Sequence, residues 1–319
     1  MRFRLYIILQ VASVCLLMAC SHDEVVEVKG QLMSFRLATK IVPTTRADAN
    51  VNDNGTFLYP ADFTIALDGD NYTYTANSST AEMISSSPAH FPVDGSSVCV
   101  QAYYPSFKMY YSESPLTFTV AQNQSQTDMG TNNYRVSDLM YGFPHENFSE
   151  IDAEGKIKPT DKQIPLVFDH KMAKISIHAV TNGSVIKRMT MLNVKRSIDF
   201  NPIDTTFSNL AEADDELGNT ILMYKDDAGM KQNTTCSALI PMQSLTAGTK
   251  FIEIVVEDFP SDQTLFYVLH EDASFWPGKH YEYNLIISMD GVDASCVMAP
   301  WNNNPDAEEW TDINETITM

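Results

Sequence analysis

The fold class is decided by residues 174–194, which have the sequence KISIHAVTNGSVIKRMTMLNV. Apolar and polar side chains alternate along Lys174–Val180, which is typical of a strand that is buried on one face. A second β-rich run, Val185–Val194, follows after a short turn. Asn182 and Gly183 both tolerate a positive φ, as the two central residues of a type I′ turn require. The stretch therefore predicts two β-strands joined as a hairpin.

The same alternation recurs along most of the chain. One side of an N-terminal extended segment carries Met33, Phe35, Leu37 and Ile41, and the other side carries Ser34, Arg36 and Lys40. Further strands are predicted at residues 98–104, 116–120, 166–168, 251–256, 265–269 and 281–287. Turns are predicted at Asn54-Gly55, Asp94-Gly95 and Asp290-Gly291. No stretch keeps a helical period for three turns, so the sequence predicts an all-β protein.

A polar segment at residues 149–162 divides the predicted strands into two groups. With 44% hydrophobic residues, the chain can bury a sizeable core, and about 100–200 residues per domain suggest two domains. Short strands separated by turn residues are typical of β-sandwiches. We expect one β-sandwich at residues 47–162 and a second at residues 163–319.

Residues 1–19 have the features of a lipoprotein signal peptide. Arg2 and Arg4 form a basic end, an apolar run follows, and Ala19 precedes Cys20. The apolar run is shorter than the roughly twenty residues that a membrane-spanning helix needs. Cleavage before Cys20 exposes a thiol that can take a diacylglycerol. We expect Cys20 to be the lipid-modified first residue of the mature chain, and an ordinary secretory signal with an incidental Cys20 is the alternative.

The composition agrees with a protein outside the cytoplasm. The chain carries 21 basic and 41 acidic side chains, a formal charge of −20. Such a charge repels nucleic acid and anionic lipid, so no nucleic-acid partner is expected, and the acidity is interpreted mainly as a means of solubility. Downstream of Cys20, the scattered Cys99, Cys236 and Cys296 match neither a disulfide framework nor a zinc site. Buried free thiols are expected, with one bridge left open as an alternative.

Sequence motifs of enzymes and cofactor sites are missing. The chain has no phosphate-binding glycine loop and no G-x-S-x-G elbow. His145-Glu146 and His270-Glu271 begin like the zinc motif HExxH, but Ser149 and Ser274 replace the second histidine. The run from Asn50 to Gly55 begins like a calcium loop, but Ala61 replaces the glutamate at its twelfth position. We expect no enzymatic activity, no cofactor and no metal site.

Two further features of the sequence are compatible with ligand binding. The acidic runs at residues 212–216 and 226–227 could hold a hard cation, although a solvated loop is the more common state of such runs. The first half of the chain is rich in tyrosine, at positions 59, 72, 74, 103, 104, 110 and 111. Exposed tyrosines stack on sugars or anchor protein partners. Tyr103-Tyr104 and Tyr110-Tyr111 are neighbouring pairs, so we expect one ring of each pair on each face and at least some of these rings to be exposed.

Four segments, taken in order, carry a resemblance to a known family. They are residues 102–105 (AYYP), 137–142 (SDLMYG), 166–175 (LVFDHKMAKI) and 275–285 (FWPGKHYEYNL). Behind a lipoprotein signal, this series resembles the fimbrillin-like lipoproteins of Bacteroidetes and covers nearly all of the mature chain. The resemblance implies two tandem transthyretin-like β-sandwich domains. It also implies a subunit of type V pili, which mediate adhesion and biofilm formation.

The parts of the family's assembly mechanism can be assigned to residues of this sequence. In such pilins an N-terminal strand fills a groove of its own subunit until an arginine-specific protease removes it, and a C-terminal strand of a neighbouring subunit then takes its place. Here the removable strand is expected within residues 20–46, so the resemblance makes Arg46-Ala47 the cleavage site. A plain loop arginine is the alternative. The tail after Trp301 is polar and contains Pro305, so residues 292–301 are expected to serve better as the donor strand, with the last residues as a tail.

The sequence therefore predicts a non-enzymatic fimbrial subunit on the outside of the outer membrane, attached through the lipid on Cys20 during transit or permanently. Its expected partners are other fimbrial subunits, with glycans or proteins on host or bacterial surfaces as further candidates. The second hypothesis is a surface lipoprotein that binds glycans through exposed tyrosines and does not polymerise. An enzyme is the third, since the 41 acidic residues leave a carboxylate pair for glycoside hydrolysis open, although the sequence singles out no such pair.

Overall fold

The computed structural model describes residues 33–39, 61–68, 70–77, 82–106, 115–125, 127–128, 131–201, 205–212, 218–225, 232–257, 261–288, 291–300 and 311–313. The expected signal peptide, Cys20, Arg46 and Ala47 lie outside these residues. The described part is almost entirely β-structure, which confirms the predicted all-β class. Its one helix, α1 (Asn133–Val136), is a single turn. No helix within the described ranges is long and apolar enough to cross a membrane.

The strands of the N-terminal half are β1 (Leu37–Thr39), β2 (Ala61–Leu67), β3 (Asp70–Ala76), β4 (Glu82–Ile84), β5 (Val100–Tyr104), β6 (Leu116–Thr119), β7 (Thr127–Asp128), β8 (Thr131–Asn132), β9 (Met140–Pro144) and β10 (Ile164–His170). Those that follow are β11 (Ala173–Thr181), β12 (Val185–Leu192), β13 (Ser197–Asn201), β14 (Thr206–Ala211), β15 (Thr220–Leu222), β16 (Tyr224–Lys225), β17 (Asn233–Ile240), β18 (Gln243–Leu245), β19 (Lys250–Glu257), β20 (Gln263–Val268), β21 (Ala273–Phe275), β22 (Lys279–Ser288), β23 (Gly291–Pro300) and β24 (Thr311–Ile313).

Seven strands form a closed barrel in the order β1-β10-β9-β5-β2-β3-β4, and β4 pairs with β1 to complete the circle. Only β1 and β10 run parallel in this barrel. β10 follows the expected boundary after Lys162, yet it belongs to the barrel because it pairs with β9 and β1. The segment before it packs on the barrel through buried Ile157, which exchanges two backbone hydrogen bonds with Val98.

The C-terminal half is built mainly from two larger sheets. A six-stranded sheet has the order β16-β17-β11-β22-β23-β24, and a four-stranded sheet has the order β15-β12-β19-β20. Buried side chains of both sheets form one apolar cluster, in which the Phe251 and Tyr283 rings from β19 and β22 are 5.6 Å apart. A smaller sheet, β14-β13-β6, joins residues from both halves of the chain because β6 pairs with β13.

The hairpin predicted around Asn182-Gly183 is wrong. β11 lies in the six-stranded sheet, whereas β12 lies in the four-stranded sheet. Both edges of β11 are occupied, by β17 and β22, so β12 has no edge of β11 to pair with. Gly183 has a φ of 105°, but Asn182 is not among the residues with positive φ, so a type I′ turn is absent here. β22 and β23 pair antiparallel up to Ser288 and Gly291, so Gly291 belongs to a strand, and Asp290 of the predicted turn lies outside the described residues.

The expectation that Tyr103 or Tyr104 is exposed is also wrong. Tyr104 packs in the apolar cluster inside the barrel, whereas Tyr103 belongs to the C-terminal cluster. Their exposed fractions are 0% for Tyr103 and 7% for Tyr104. The two rings are both buried because each face of β5 lies against a different core. Tyr74 is buried and Tyr72 is half-buried, and positions 59, 110 and 111 lie outside the described residues.

Candidate functional site

The short strand β1 closes the barrel and is the candidate functional element. It runs antiparallel to β4 and parallel to β10, so that Leu37 stands opposite both Met83 and Ile164. The pairing with β10 covers three residues and the pairing with β4 covers two. Without β1, the barrel therefore has a gap whose two sides are the unpaired edges of β4 and β10.

Backbone hydrogen bonds extend the contact to the residues that precede β1. The Phe35 amide donates to the Ala89 carbonyl at 2.9 Å, and the Phe91 amide donates to the Met33 carbonyl at 3.0 Å. On the other side, the Ile164 amide donates to the Arg36 carbonyl at 2.7 Å. The whole segment 33–39 thus lies as an extended chain between two flanking segments.

From Ser34 to Leu37 the side chains alternate as the sequence predicts, whereas Met33, which was expected on the same side as Phe35, is 41% exposed. Phe35 and Leu37 point into the barrel core and are 4% and 0% exposed, whereas Ser34 and Arg36 are exposed. The Phe35 ring stacks on Phe91 with 4.0 Å between centroids. Each of these two inward side chains contributes about 1.5–3 kcal/mol by burial. The gap left by β1 would therefore be lined with apolar surface as well as with unpaired backbone.

The expected cleavage loop follows β1 directly in the sequence. Arg46 comes seven residues after Thr39 and before β2, which begins at Ala61. A break of the chain after Arg46 would separate β1 from every other strand covalently. Arg46, Ala47 and the expected lipid site Cys20 lie outside the described residues, so their roles stay predictions.

The four signature segments lie on two groups of adjacent strands, one in the barrel and one in the six-stranded sheet. Residues 102–105 lie on and just after β5, residues 137–142 lead into β9, and residues 166–175 span β10 and the start of β11. β5 pairs with β9, and β9 pairs with β10. β11 then pairs with β22, which carries most of the fourth segment. The signature therefore marks the passage from the barrel to the six-stranded sheet.

A buried polar contact joins two of these segments. Asp138 is fully buried, and its carboxylate oxygens lie 2.9 and 3.0 Å from Nδ1 of His170. Next to this contact, the Lys171 amide donates to the Leu139 carbonyl at 2.7 Å. Buried polar groups need such partners because an unpaired one costs about 1–3 kcal/mol. The contact fixes the start of β9 against the end of β10.

A serine–histidine–glutamate set on the six-stranded sheet is the arrangement nearest to a catalytic one. His280 Nε2 lies 2.8 Å from Ser176 Oγ, and His280 Nδ1 lies 3.9 Å from Glu282 Oε1. However, the Ser176 hydroxyl is buried and also lies 3.0 Å from the hydroxyl of Ser237. A catalytic nucleophile must be accessible to its substrate, and the Ser176 hydroxyl is not. We therefore interpret these hydrogen bonds as structural contacts between neighbouring strands.

The described residues hold no group of three or more metal-ligating side chains that could bind an ion. Cys99, Cys236 and Cys296 are free thiols; Cys236 is buried and the other two are half-buried. Burial is the main cause that raises the pKa of Cys99, with the nearby Asp68 carboxylate as a second cause. All of the acidic run 212–216 except Glu212, and the pair at 226–227, lie outside the described ranges, so a cation site there stays a prediction.

Comparison with protein families identifies the family of this chain. The model of the family described as fimbrillin-like matches residues 44–301. This protein belongs to the fimbrillin-like family, and the resemblance seen in the four sequence segments is confirmed. A comparison with curated proteins gives no match.

Solved structures show the same fold. A protein from Bacteroides uniformis assigned to cell adhesion is similar with a TM-score of 0.54 and 18% identity, over 84% of this chain and 99% of the other. A protein from Bacteroides ovatus with the same assignment has a TM-score of 0.56 and 15% identity, over 86% of this chain and 100% of the other. At such low identity, the likeness concerns the fold alone.

The inward side chains Phe35 and Leu37 of this segment were predictable from the sequence, but the two neighbouring strands of β1 were not. Alternation identifies the faces of a strand, whereas pairing depends on edges that come from distant parts of the chain. Chain order gives no sign that β1 meets β10, because about 125 residues separate them.

Proposed function

We propose that this protein is a non-enzymatic subunit of a surface fimbrium that assembles by exchanging β1 for a strand of a neighbouring subunit. The observation that carries this proposal is that β1 alone closes the barrel, through short pairings on both sides. Membership of the fimbrillin-like family supports the role of a fimbrial subunit.

Before assembly, β1 covers the apolar gap between β4 and β10. An open strand edge above an apolar groove is a template for association with other chains. Cleavage after Arg46 would remove the covalent link, so that β1 could leave and a strand of another subunit could enter. Such strand addition gives affinity through backbone hydrogen bonds and specificity through alternate side chains.

The donor is proposed to come from the C-terminal end of the neighbour. β23 pairs with β22 along ten residues, whereas β24 pairs with β23 along only three. Release of the chain after Pro300 would therefore break far fewer hydrogen bonds than release of residues 292–301. This makes the last segment, with Trp310, Ile313 and Ile317 as its apolar side chains, the better donor.

Lipid on Cys20 is proposed to hold the precursor at the outer membrane. Cys20 and β1 lie on the same side of Arg46, so one cut would release both from the rest of the subunit. A subunit that keeps Cys20 would stay an anchored protein with its own β1 in place. The intact mass of the protein from its native cell surface distinguishes a chain that begins at acylated Cys20 from one that begins at Ala47.

The proposal is tested with the protein from Ser21 onward, nicked by an arginine-specific protease, which spares Lys40, and examined by light scattering and electron microscopy. Nicking should produce polymers, and Arg46→Ala should prevent them, while Arg36→Ala serves as the matched control at another exposed arginine. A peptide of residues 33–41 should compete for the open gap, and the same peptide with aspartate in place of Phe35 and Leu37 should not. Two results would contradict the proposal: polymers that form equally from the Arg46→Ala variant, and polymer formation that the peptide does not inhibit.

A further inference from the structure

A pocket in the C-terminal half is lined by none of the residues that flank the gap that β1 fills. It has a volume of about 310 Å³ and is lined by residues of β13, β14, β18 and β21 and by the turn after β21. Its apolar walls include Phe207, Leu210, Met242 and Phe275. This volume is within the range of small-ligand pockets.

Trp276 lines this pocket and is largely exposed to solvent. Its side chain is 54% exposed, while the neighbouring Phe275 is 1% exposed. The backbone beneath the ring is fixed, because the Trp276 amide donates to the Tyr281 hydroxyl at 2.9 Å and the Gly278 amide donates to the Met172 carbonyl at 2.9 Å. A large aromatic face is therefore presented to solvent by a rigid turn.

Polar groups at the pocket are available for a ligand. Within the described structure, the Ser208 hydroxyl and the indole N–H of Trp276 have no protein partner. Asn209 donates its amide N–H to Asp199 at 2.8 Å, which leaves its side-chain oxygen as an acceptor. Ser244 and Ser274 share one hydrogen bond of 2.8 Å between their hydroxyls, so one of the two protons can still be donated.

None of the described residues that line the pocket is charged. The chain as a whole carries a formal charge of −20, so an anionic ligand would be repelled and would find no cation to pair with. The chemistry that fits is a neutral molecule with hydroxyl groups and one apolar face. A hexose ring has both properties, because its C–H groups can pack on the negative face of an indole while its hydroxyls meet side-chain donors and acceptors.

A peptide strand fits the pocket less well. Strand addition needs a regular edge, but β14 has a register shift against β13, and Asn209 within it has a φ of 51°. Bulges of this kind interrupt the ladder of backbone groups that an added strand would use. We infer that the pocket at Trp276 binds a neutral hexose unit of a glycan. This site differs from the tyrosines considered in the sequence and does not depend on strand exchange.

The test uses the protein from Ser21 onward with glucose and galactose, each beside its uronic acid, and with mannose and N-acetylglucosamine. Saturation-transfer NMR and tryptophan fluorescence report binding. At least one neutral sugar should bind. Trp276→Ala should weaken this binding by about tenfold or more, and Trp276→Phe should have an intermediate effect because it keeps a ring and loses the N–H donor. Phe266→Ala, which removes another exposed aromatic ring outside the pocket, should leave binding unchanged.

Several results would overturn the inference. They are the absence of binding by every neutral sugar of the set, equal binding by Trp276→Ala and the unmodified protein, and binding of the uronic acids as tight as that of the neutral sugars. A peptide of residues 301–319 that binds at Trp276 while no sugar does would assign the pocket to a protein strand instead. Since β1 and Arg46 are untouched in these variants, the outcome is independent of the polymerisation experiment.

Discussion

Substitution of Gly142 by alanine would test the packing between two signature segments. A Cβ atom built on Gly142 would lie 2.5, 2.7 and 2.8 Å from three atoms of the Phe168 ring, which stands opposite it on β10. The nearest of these distances is about 0.9 Å below ordinary van der Waals contact, which begins at 3.4 Å. The ring is 3% exposed and has the Phe63 ring 5.0 Å away, so it has little room to move.

Gly142→Ala should destabilise the fold, although alanine usually stabilises a protein when it replaces a glycine whose backbone conformation it can adopt. Gly142 does not have a positive φ, so alanine fits its backbone and should stabilise the fold by about 0.4–1 kcal/mol if nothing else changed. The clash with the Phe168 ring should outweigh this gain and lower the free energy of unfolding by about 1–3 kcal/mol, as overpacked cores do. Urea unfolding followed by circular dichroism measures the change.

A double-mutant cycle with Phe168→Leu identifies the cause. If the ring is responsible, Gly142→Ala should cost much less in the Phe168→Leu background, with a coupling of at least about 0.5 kcal/mol. Strictly additive effects, or a Gly142→Ala variant as stable as the unmodified protein, would refute the proposed contact.

Two further changes test the closing strand and the alkaline limit of the fold. Leu37→Ala should lower the free energy of unfolding by about 2–5 kcal/mol because its side chain is fully buried, whereas exposed Arg36→Ala should change it by less than about 0.5 kcal/mol in urea unfolding. Burial raises the pKa of Tyr74 and Tyr281, and raises that of Tyr283 well above its ordinary value. The unfolded chain loses these protons first, so stability should be complete below about pH 10 and fall above it. Tyr283→Phe should make this fall less steep in urea titrations at several alkaline pH values, and an unchanged slope would show that Tyr283 ionises as freely in the folded protein as in the unfolded chain.

The strands themselves could be predicted because alternation is a local property. Phe35 and Leu37 face the core as expected, and the predicted runs around residues 174–180 and 281–287 are both strands. Pairing could not be predicted in the same way. Asn182-Gly183 has the composition of a hairpin turn, yet the two edges of β11 are taken by strands that come much later in the chain. A local turn preference is overridden when distant strands occupy both edges.

Exposure was predicted less well than alternation, for a related reason. Tyr103 lies on the outer face of a barrel strand, where a single sheet would leave it in solvent, but the C-terminal cluster covers it. Conversely, Trp276 is exposed beside buried Phe275 because it lies in the turn that follows β21. The pocket at Trp276 could not be found from that pattern, because its opposite wall comes from β13 and β14, more than sixty residues earlier.

The pairing of β1 also indicates what could drive strand exchange. Any strand in the gap between β4 and β10 is parallel to one of them and antiparallel to the other, so a change of direction by itself brings no advantage. A longer strand does bring an advantage. β10 extends from Ile164 to His170, whereas β1, within the described residues, pairs only with the first three residues of β10. A longer donor could also pair along Val167–His170, and each added backbone hydrogen bond contributes about 0.5–1.5 kcal/mol. Exchange of the short internal strand for a longer external one would thus be favourable once β1 is no longer tethered, and the tether at Arg46 is what would hold the precursor in its closed form.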